Sequence, residues 1–534
     1  MPKVVKQRSS NVANAVTTSK ASKSRLNCWI KRLRQPLLLA AAGAFSVLGF
    51  APWSWWPTAL LSMAVLAFCL HDSTPKQAFR QGYAFGLGLF AVGIAWVHIS
   101  IDQFGGLPLP VSLTLMLLLA AYLSLYPALA CWLSRKFRCG NPYLQILLFA
   151  ACWVLGEFAR GYLLTGFPWL ALGYSQLDGL LSAWFPLSGV AGVSLVTAIV
   201  AGALALTVAQ RQWPAAALAL CTLGGSFSLS FIQFISPNGD PVDVALVQGN
   251  IEQSLRWQPD QEWPTMLKYL DLTRPHYEAD LIIWPEAAVP AVEPMAQEYL
   301  DNLNYVATHN DTTVVSGIVD YNFDTRQFYN TLIVLGKQQK PLYEYRYHSA
   351  NRYQKHHLLP IGEFVPFGEL LRPIAPLFNL PMSSFSRGDY TQANLVANGY
   401  TIAPAICYEI AFPEQLRRSV NEQTDFLLTV SNDAWFGDSI GPQQHMEIAR
   451  ARAKELGRPL LRATNTGVTA AVDAYGEEIA RLPMFSADVL RLPIQRMTGV
   501  TPFSQLGHWP VWLVIMLTFA LVAVVQLKDR KAAD

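Results

Sequence analysis

Eight stretches of this chain are apolar enough to be read as membrane spans, and no other feature narrows its architecture as far. They run over Pro36 to Phe50, Trp55 to Leu70, Phe79 to His98, Leu109 to Leu133, Tyr143 to Tyr162, Leu187 to Ala209, Trp213 to Phe234 and His508 to Leu527. A helix rises 1.5 Å per residue, so about twenty apolar residues cross the ~30 Å hydrocarbon core of a bilayer. The first two runs are short, and Ala51-Pro52-Trp53 between them favours two short helices joined by a tight turn over one kinked span. Composition agrees: 52% of the 534 residues are hydrophobic and 14% are charged, against about 25% charged in an average soluble chain. Disorder and collagen-like repeats are excluded. A net charge of +3 argues against a nucleic-acid partner, because basic residues cluster at particular loops rather than spreading over a face.

Those clusters orient the spans. Lys and Arg favour cytoplasmic loops. The arm over residues 1–34 is basic and carries no acid; Lys76 with Arg80, then Arg135, Lys136 and Arg138, then Arg211, and the tail Lys528, Arg530 and Lys531 alternate correctly with it. The loop Ser100 to Pro108 and the segment Leu163 to Phe185 contain no Lys or Arg and fall outside. Leu37 to Ser46 has the apolar core of a signal peptide, but further spans follow at once, so an uncleaved first helix is expected. The organisation is then a basic cytoplasmic arm (1–34), seven helices within 35–235, a polar domain over 241–502, an eighth helix at 508–527 and a cytoplasmic tail at 528–534. The polar domain lies on the outer face of the cytoplasmic membrane. Strand-like runs Val242 to Gln248, Leu281 to Trp284, Thr312 to Val319, Thr331 to Leu335, Thr401 to Ile406 and Phe426 to Ser431 alternate there with helical patterns Glu262 to Leu270, Glu298 to His309 and Gln443 to Leu456. That alternation predicts an α/β layered domain.

Of the seven cysteines, Cys28, Cys69, Cys131, Cys139, Cys152 and Cys221 lie in the arm, spans or short loops, where a small polarizable side chain needs no chemical role. Cys407 is alone in the polar domain and cannot form an internal disulfide there. It ends the buried run Ile402 to Ile406, just as Glu286 ends Leu281-Ile282-Ile283-Trp284-Pro285 and Lys355 follows Asn351-Arg352-Tyr353-Gln354. Strand ends are where α/β folds place chemistry. A carboxylate, an ammonium and a thiol supply a base, a charge stabiliser and a nucleophile. Taken singly, Glu286 could cap a helix and Lys355 could be a solvated surface group. Together, in order and in context, they read as a catalytic set.

With their flanks these residues resemble the carbon-nitrogen hydrolase (nitrilase) superfamily, whose catalytic set is Glu, Lys, Cys in this order and whose fold is an αββα sandwich. Spans included, the chain is similar to the bacterial apolipoprotein N-acyltransferases over about residues 35–530. Val247-Gln248-Gly249-Asn250, Trp284-Pro285-Glu286, the segment His357 to Pro366 with Gly362-Glu363-Phe364, Cys407-Tyr408-Glu409 and Ser431 to Gly437 carry the likeness. The resemblance implies that Cys407 attacks the sn-1 ester of a phospholipid with Glu286 as base. The thioester then passes to the α-amine of a diacylglyceryl-cysteine at the start of an apolipoprotein, and Lys355 stabilises the oxyanion. It further implies that Glu363 supports Lys355 and Glu286, that Trp257, Tyr408 and Glu409 shape or control the acyl pocket, and that no metal or organic cofactor takes part. Glu409 could equally be a carboxylate behind the site or the ion-pair partner of an arginine. A monomer in the bacterial inner membrane is expected, its catalytic domain periplasmic. The greasy segment Phe364 to Phe385, interrupted by Pro and Gly, is expected to form a lid on the outer leaflet.

Other features have plainer explanations. Gly437-Asp438-Ser439-Ile440-Gly441 fits the serine nucleophile pattern, but residues Asp433 to Phe436 intervene after the strand. His356 and His357 are adjacent rather than at metal-ligand spacing. Glu157 and Arg160 share a helix face near the outer end of the fifth span, as a structural pair or a headgroup contact. Gly82 to Gly86 suits close helix packing. Two other classes use the same residues: a tethered amidase acting on a small amide, which leaves eight spans unexplained, and a transporter or lipid-binding module, for which the spans lack repeated charges.

Overall fold

The structure, a computed structural model, describes residues 34–360, 362–364 and 385–533. The arm over residues 1–33 and the lid positions Phe367, Leu370, Leu371, Ile374, Leu377, Phe378, Leu380 and Met382 lie outside the described residues. Helices occupy 34–46, Trp56–Leu70, Pro75–Gly93, Leu109–Leu123 with Leu125–Lys136, Pro142–Tyr162, Phe185–Gln210, Trp213–Leu229 and Trp509–Ala533. Four are long and apolar enough by themselves to cross a membrane: Leu109–Lys136, Pro142–Thr165, Ser182–Gln210 and Trp509–Lys531. Pro75–Gly93 continues into Val97–Phe104 across a 57° bend, while Trp56–Leu70 and Trp213–Leu229 are shorter.

Local chemistry starts these helices. Thr74 and Gln77 form a reciprocal capping box with Pro75 in the first turn, and the Asn141 carboxamide accepts from Tyr143 N and Leu144 N. Gly82 and Gly86 permit close packing: a Cβ at Gly82 would meet Pro127 O at 2.5 Å, and one at Gly86 would meet Pro127 Cγ at 2.6 Å. Glu157 and Arg160 hold the following loop rather than each other. Glu157 Oε1 accepts from Leu172 N (2.7 Å) and Trp153 Nε1 (2.9 Å), and Arg160 Nη1 donates to the carbonyls of Phe167 and Trp169. This loop, which bears Trp169, is the roof on which the second domain sits.

The strands, in chain order, are β1 Ile235–Pro237, β2 Val242–Gln248, β3 Leu281–Ile283, β4 Val289–Val292, β5 Thr313–Asn322, β6 Gln327–Gly336, β7 Arg352–Gln354, β8 Leu395–Ala397, β9 Tyr400–Ile406, β10 Phe426–Ser431, β11 Leu460–Thr464, β12 Ala470–Val472, β13 Glu478–Arg481, β14 Asp488–Ile494 and β15 Met497–Gly499. One sheet has the order β14-β2-β3-β5-β6-β7, with β4 added to β5; the other has the order β13-β12-β11-β10-β9-β8. β1 and β15 pair with each other where the chain leaves and re-enters the bundle. The central strands β2, β3 and β5 are parallel, as are β9, β10 and β11. Such strands are covered on both faces and read as continuous apolar runs.

Val244, Leu246, Ile283 and Leu332 of the first sheet face Ile402, Ile406, Leu428 and Leu461 of the second. Helices Glu262–Thr273 and Gln297–His309 cover the first sheet's outer face through Tyr269, Leu300 and Leu303. Helices Pro413–Ser419 and Gly441–Leu456 cover the other, completing an αββα sandwich. The helix Gly441–Leu456 is apolar on the sheet side and also faces the bundle, where Glu455 Oε1 accepts from Val190 N at 2.6 Å and Arg452 Nη2 donates to Tyr174 Oη at 3.1 Å. Sandwich and bundle thus share one continuous core on the side of the sheet that ends in Cys407.

Candidate active site

Three strand ends converge. β3 runs through Trp284-Pro285 into Glu286, β7 ends immediately before Lys355, and β9 ends immediately before Cys407. Glu286 and Lys355 come from one sheet and Cys407 from the other, so the site lies in the seam between the two layers.

Glu286 is 8% exposed and saturated with donors. Its Oε1 accepts from Lys355 Nζ (3.2 Å) and Asn330 Nδ2 (2.7 Å), and its Oε2 from Asn432 N (3.0 Å). Burial opposes its charge, but Lys355, Arg256 and the Asn330 amide outweigh burial and hold it below its ordinary carboxylate value. Lys355 is 1% exposed. Its Nζ also donates to Glu363 Oε1 at 2.9 Å. Burial alone would discharge this ammonium, yet the two carboxylates raise it well above an ordinary lysine, so it is a fixed cation and not a base. Glu363 is itself anchored by Leu359 N on Oε2 (2.8 Å) and bridged to Glu286 by Asn330 Nδ2 (3.0 Å).

Cys407 adopts φ +53°, a conformation that L-residues other than Asn and Asp rarely hold. The chain turns sharply there from β9 into the short helix Cys407–Ala411, which aims the thiol out of the strand end. Burial and the Glu286 charge push the thiol up to about 12, partly offset by Lys355 and a hydrogen bond with Ser431. The resting set is therefore a neutral thiol, an ionised carboxylate and an ammonium, which suits proton transfer during attack rather than a stored thiolate.

Two networks hold this turn. Glu409, expected as a pocket residue, a carboxylate behind the site or an arginine partner, meets no arginine among the described residues and stands behind the nucleophile. Its carboxylate accepts from Ile406 N (2.8 Å), His356 N (2.8 Å), His357 N (3.0 Å), Gln415 Nε2 (2.9 Å) and the Tyr353 hydroxyl (3.0 and 3.1 Å). Tyr408 donates to Gly166 O at 2.8 Å, tying the turn to the loop above the bundle. On the other side His445 Nε2 donates to Cys407 O at 3.1 Å. Its Nδ1 faces both Asp433 Oδ1 at 3.1 Å and Arg462 Nη2 at 3.0 Å, and Arg462 in turn pairs with Asp433 at 2.8 Å; burial, then Arg462, lowers this histidine against the opposing pull of Asp433.

Trp257 stands apart from these networks. With Phe328, Phe385 and Met295 it lines an apolar cavity of about 520 Å³. Phe385 N donates to Glu363 O at 3.0 Å, so the cavity borders the loop of the second carboxylate. The Ser439 hydroxyl is taken up by backbone just ahead of the helix Gly441–Leu456, donating to Phe436 O (2.7 Å) and accepting from Gly441 N (3.1 Å), and no base adjoins it among the described residues. His356 and His357 contact Gly388 O and Thr165 O separately. Sequence reasoning missed Arg256, whose Nη2 holds the carbonyls of Glu286 and Ala287, and Asn330, which links the two carboxylates. Neither carries a sequence signal, because each is brought in by tertiary packing alone. Asn432 and Asp433 were visible only inside their motif.

A family model described as "Apolipoprotein N-acyltransferase N-terminal domain" matches residues 42–203, and one described as "Carbon-nitrogen hydrolase" matches residues 243–501. The apolipoprotein N-acyltransferase of Shewanella oneidensis is 52% identical over 496 residues, covering 92% of this chain and 95% of that protein. That of Vibrio vulnificus is 48% identical over 497 residues, covering 93% and 98% respectively. The crystal structure of Saccharomyces cerevisiae Nit3, of the nitrilase superfamily, superposes on 49% of this chain and 93% of its own, with 16% identity and a TM-score of 0.36. Near-full-length relatives at this identity, with both domain models in the same order, establish that the chain belongs to the apolipoprotein N-acyltransferase family.

Proposed function

We propose that this protein transfers the sn-1 acyl chain of a phospholipid, through a thioester on Cys407, to the α-amine of the N-terminal diacylglyceryl-cysteine of apolipoproteins. The observation that carries this reading is the convergence of three strand ends on one buried seam: Lys355 Nζ lies 3.2 Å from Glu286 Oε1, and Cys407, at φ +53°, turns off the end of β9 beside them. Glu286 takes the thiol proton as sulfur attacks the ester carbonyl. Lys355 stabilises the oxyanion, and collapse expels the lysophospholipid alkoxide, which recovers the proton from Glu286. The acceptor amine then attacks the thioester, Glu286 takes its proton, and the departing thiolate is reprotonated. Glu363 fixes Lys355, while Glu409, Tyr408 and the His445 contact position the nucleophile. Trp257 supplies apolar surface for an acyl chain.

The eight-span topology, with residues 35–235 and 508–527 in the bacterial inner membrane and the domain over 241–502 on its periplasmic side, belongs to the same proposal. The basic loops support it. So does cost: each CH₂ of a lipid chain lifted into water costs about 0.8 kcal/mol, and a catalytic sandwich sharing its core with the bundle avoids that lift. Intact-protein mass spectrometry after incubation with phospholipid tests the chemistry. A hydroxylamine-labile gain of one acyl chain, absent from Cys407→Ala, is expected. A folded, delipidated protein that gains no adduct would overturn it.

A further inference from the structure

At the end of the helical bundle far from the sandwich, a cavity of about 100 Å³ opens among the last turns of three helices and the start of a fourth. Its polar wall is Arg135, Arg138, His71 and Gln210, and its apolar wall includes Phe68, Ile146 and Phe149. Arg135 is 6% exposed, yet its Nη2 has no hydrogen-bond partner among the described residues. Its Nε donates to Ser73 O at 3.1 Å, which fixes the guanidinium plane against the cavity. Arg138 is exposed on the rim. The acids nearby are Asp72, turned to His71 at 2.9 Å, and Asp529, beside Gly140. His71 Nε2 and Gln210 Nε2 are 2.7 Å apart on the same rim.

Stranding a charged donor inside a protein is costly unless something accepts from it. Arginine's planar fork matches the oxygens of a phosphate, and a second arginine on the rim adds charge without filling the space. The volume is several times the ~10–15 Å³ that one water requires, which admits a phosphate and not a whole lipid. The apolar wall beside it suits the first carbons of chains that stay in the bilayer.

We propose that this pocket binds a phosphate group, carried by an anionic phospholipid in the leaflet opposite the catalytic domain. The placement of the lipid rests on the membrane topology proposed above, but the site is remote from Cys407 and its test reads binding rather than turnover, so its failure is distinguishable from that of the acyl-transfer reading. Full-length protein, delipidated in neutral detergent, is compared with Arg135→Gln and Arg138→Gln by native mass spectrometry. The probes are ether-linked phosphatidylglycerol, which cannot donate an acyl chain, an ether-linked diglyceride lacking phosphate, and inorganic phosphate. Any lipid at the catalytic site is common to all three proteins and drops out of the difference. The expected result is one phosphatidylglycerol more on the native chain than on either variant, with affinity lowered about tenfold per arginine and no such difference for the diglyceride. Inorganic phosphate held by the native chain alone, with no lipid preference, would support the phosphate site and assign its source to free phosphate. Should Arg135→Gln fail to fold, Arg138→Gln, on the exposed rim, decides. Equal binding of every probe by the native chain and Arg138→Gln overturns the proposal.

Discussion

The Tyr353 hydroxyl lies 3.0 and 3.1 Å from the two carboxylate oxygens of Glu409, joining the strand that ends in Lys355 to the turn that carries Cys407. Tyr353 is on β7 of one sheet and Glu409 follows β9 of the other, so this contact sets the spacing of cation and nucleophile across the seam. Glu409→Gln places an amide NH₂ among groups that all donate. Unmatched buried donors cost about 1–3 kcal/mol each. Turnover should fall more than about tenfold with a lowered melting temperature, whereas Tyr353→Phe, which removes one donor of several, should cost about 1 kcal/mol and little activity. Steady-state assays and thermal unfolding of both variants measure this; an active, stable Glu409→Gln would show the network to be dispensable.

Glu286→Gln separates two effects of one carboxylate. As base it is worth about 10²–10⁴ in rate, and turnover should fall by that much. As a negative charge beside Cys407 it raises the thiol, so its removal should make Cys407 more acidic and easier to alkylate. Peptide mapping after iodoacetamide at pH 9, set beside acylation rates, should show the two quantities moving in opposite directions. Slower alkylation together with slower turnover would mean that the variant had lost its geometry.

The pH dependence follows from the same groups. Because the thiol is pushed up to about 12, its thiolate fraction should still be climbing about tenfold per unit between pH 8 and 10, where an ordinary cysteine near 8.5 levels off. Lys355→Met removes the cation that favours thiolate and should slow labelling further. On the acid side, Glu286 is depressed below its ordinary 4.5, so it stays ionised as pH falls and the acid limb of kcat/KM should lie below that value. A plateau in Cys407 labelling below pH 9 would contradict the buried, neutral resting thiol.

Much of this was legible because buried parallel strands are apolar throughout and stop abruptly. Leu281–Ile283 and Phe426–Ser431 are fully covered strands, Val242–Gln248 is covered except at Asp243, and each was visible as a predominantly apolar run. The edge strands were not: β13 alternates half-buried and exposed residues, and β14 carries Arg491 and Pro493, so neither differs in pattern from a loop. Within the site, Glu286 and Cys407 were readable because each terminates such a run, whereas Lys355 follows the polar edge strand β7 and was readable only from its order and flanks. Arg256 and Asn330 reach Glu286 from 30 and 44 residues away in the chain, which no local spacing records. Glu409 was visible as a carboxylate behind the site, but its partners were not, since the five donors in reach of its oxygens come together only through tertiary structure.

Gly317 makes the sharpest test of how closely Glu286 must be held. It lies on β5 beneath the catalytic turn, where an added Cβ would stand 2.4 Å from Ala287 N and 2.8 Å from both Glu286 Cα and Pro285 O. These are backbone atoms and cannot swing away. The turn also cannot relax outward, since Arg256 grips the carbonyls of Glu286 and Ala287, and Ala287 is already at φ +45°. Gly317→Ala must therefore displace the carboxylate from Asn432 N and Lys355 Nζ without altering any reacting group. Misplacement of about 1 Å costs about 10² in rate, and overpacking of this kind costs about 1–3 kcal/mol in stability. Gly224→Ala, where an added Cβ meets nothing within 4 Å, is the matched control and should leave both quantities unchanged. Single-turnover acylation and thermal unfolding of the two variants decide the matter: a fully active Gly317→Ala would mean that the thiol can find its base without a fixed backbone.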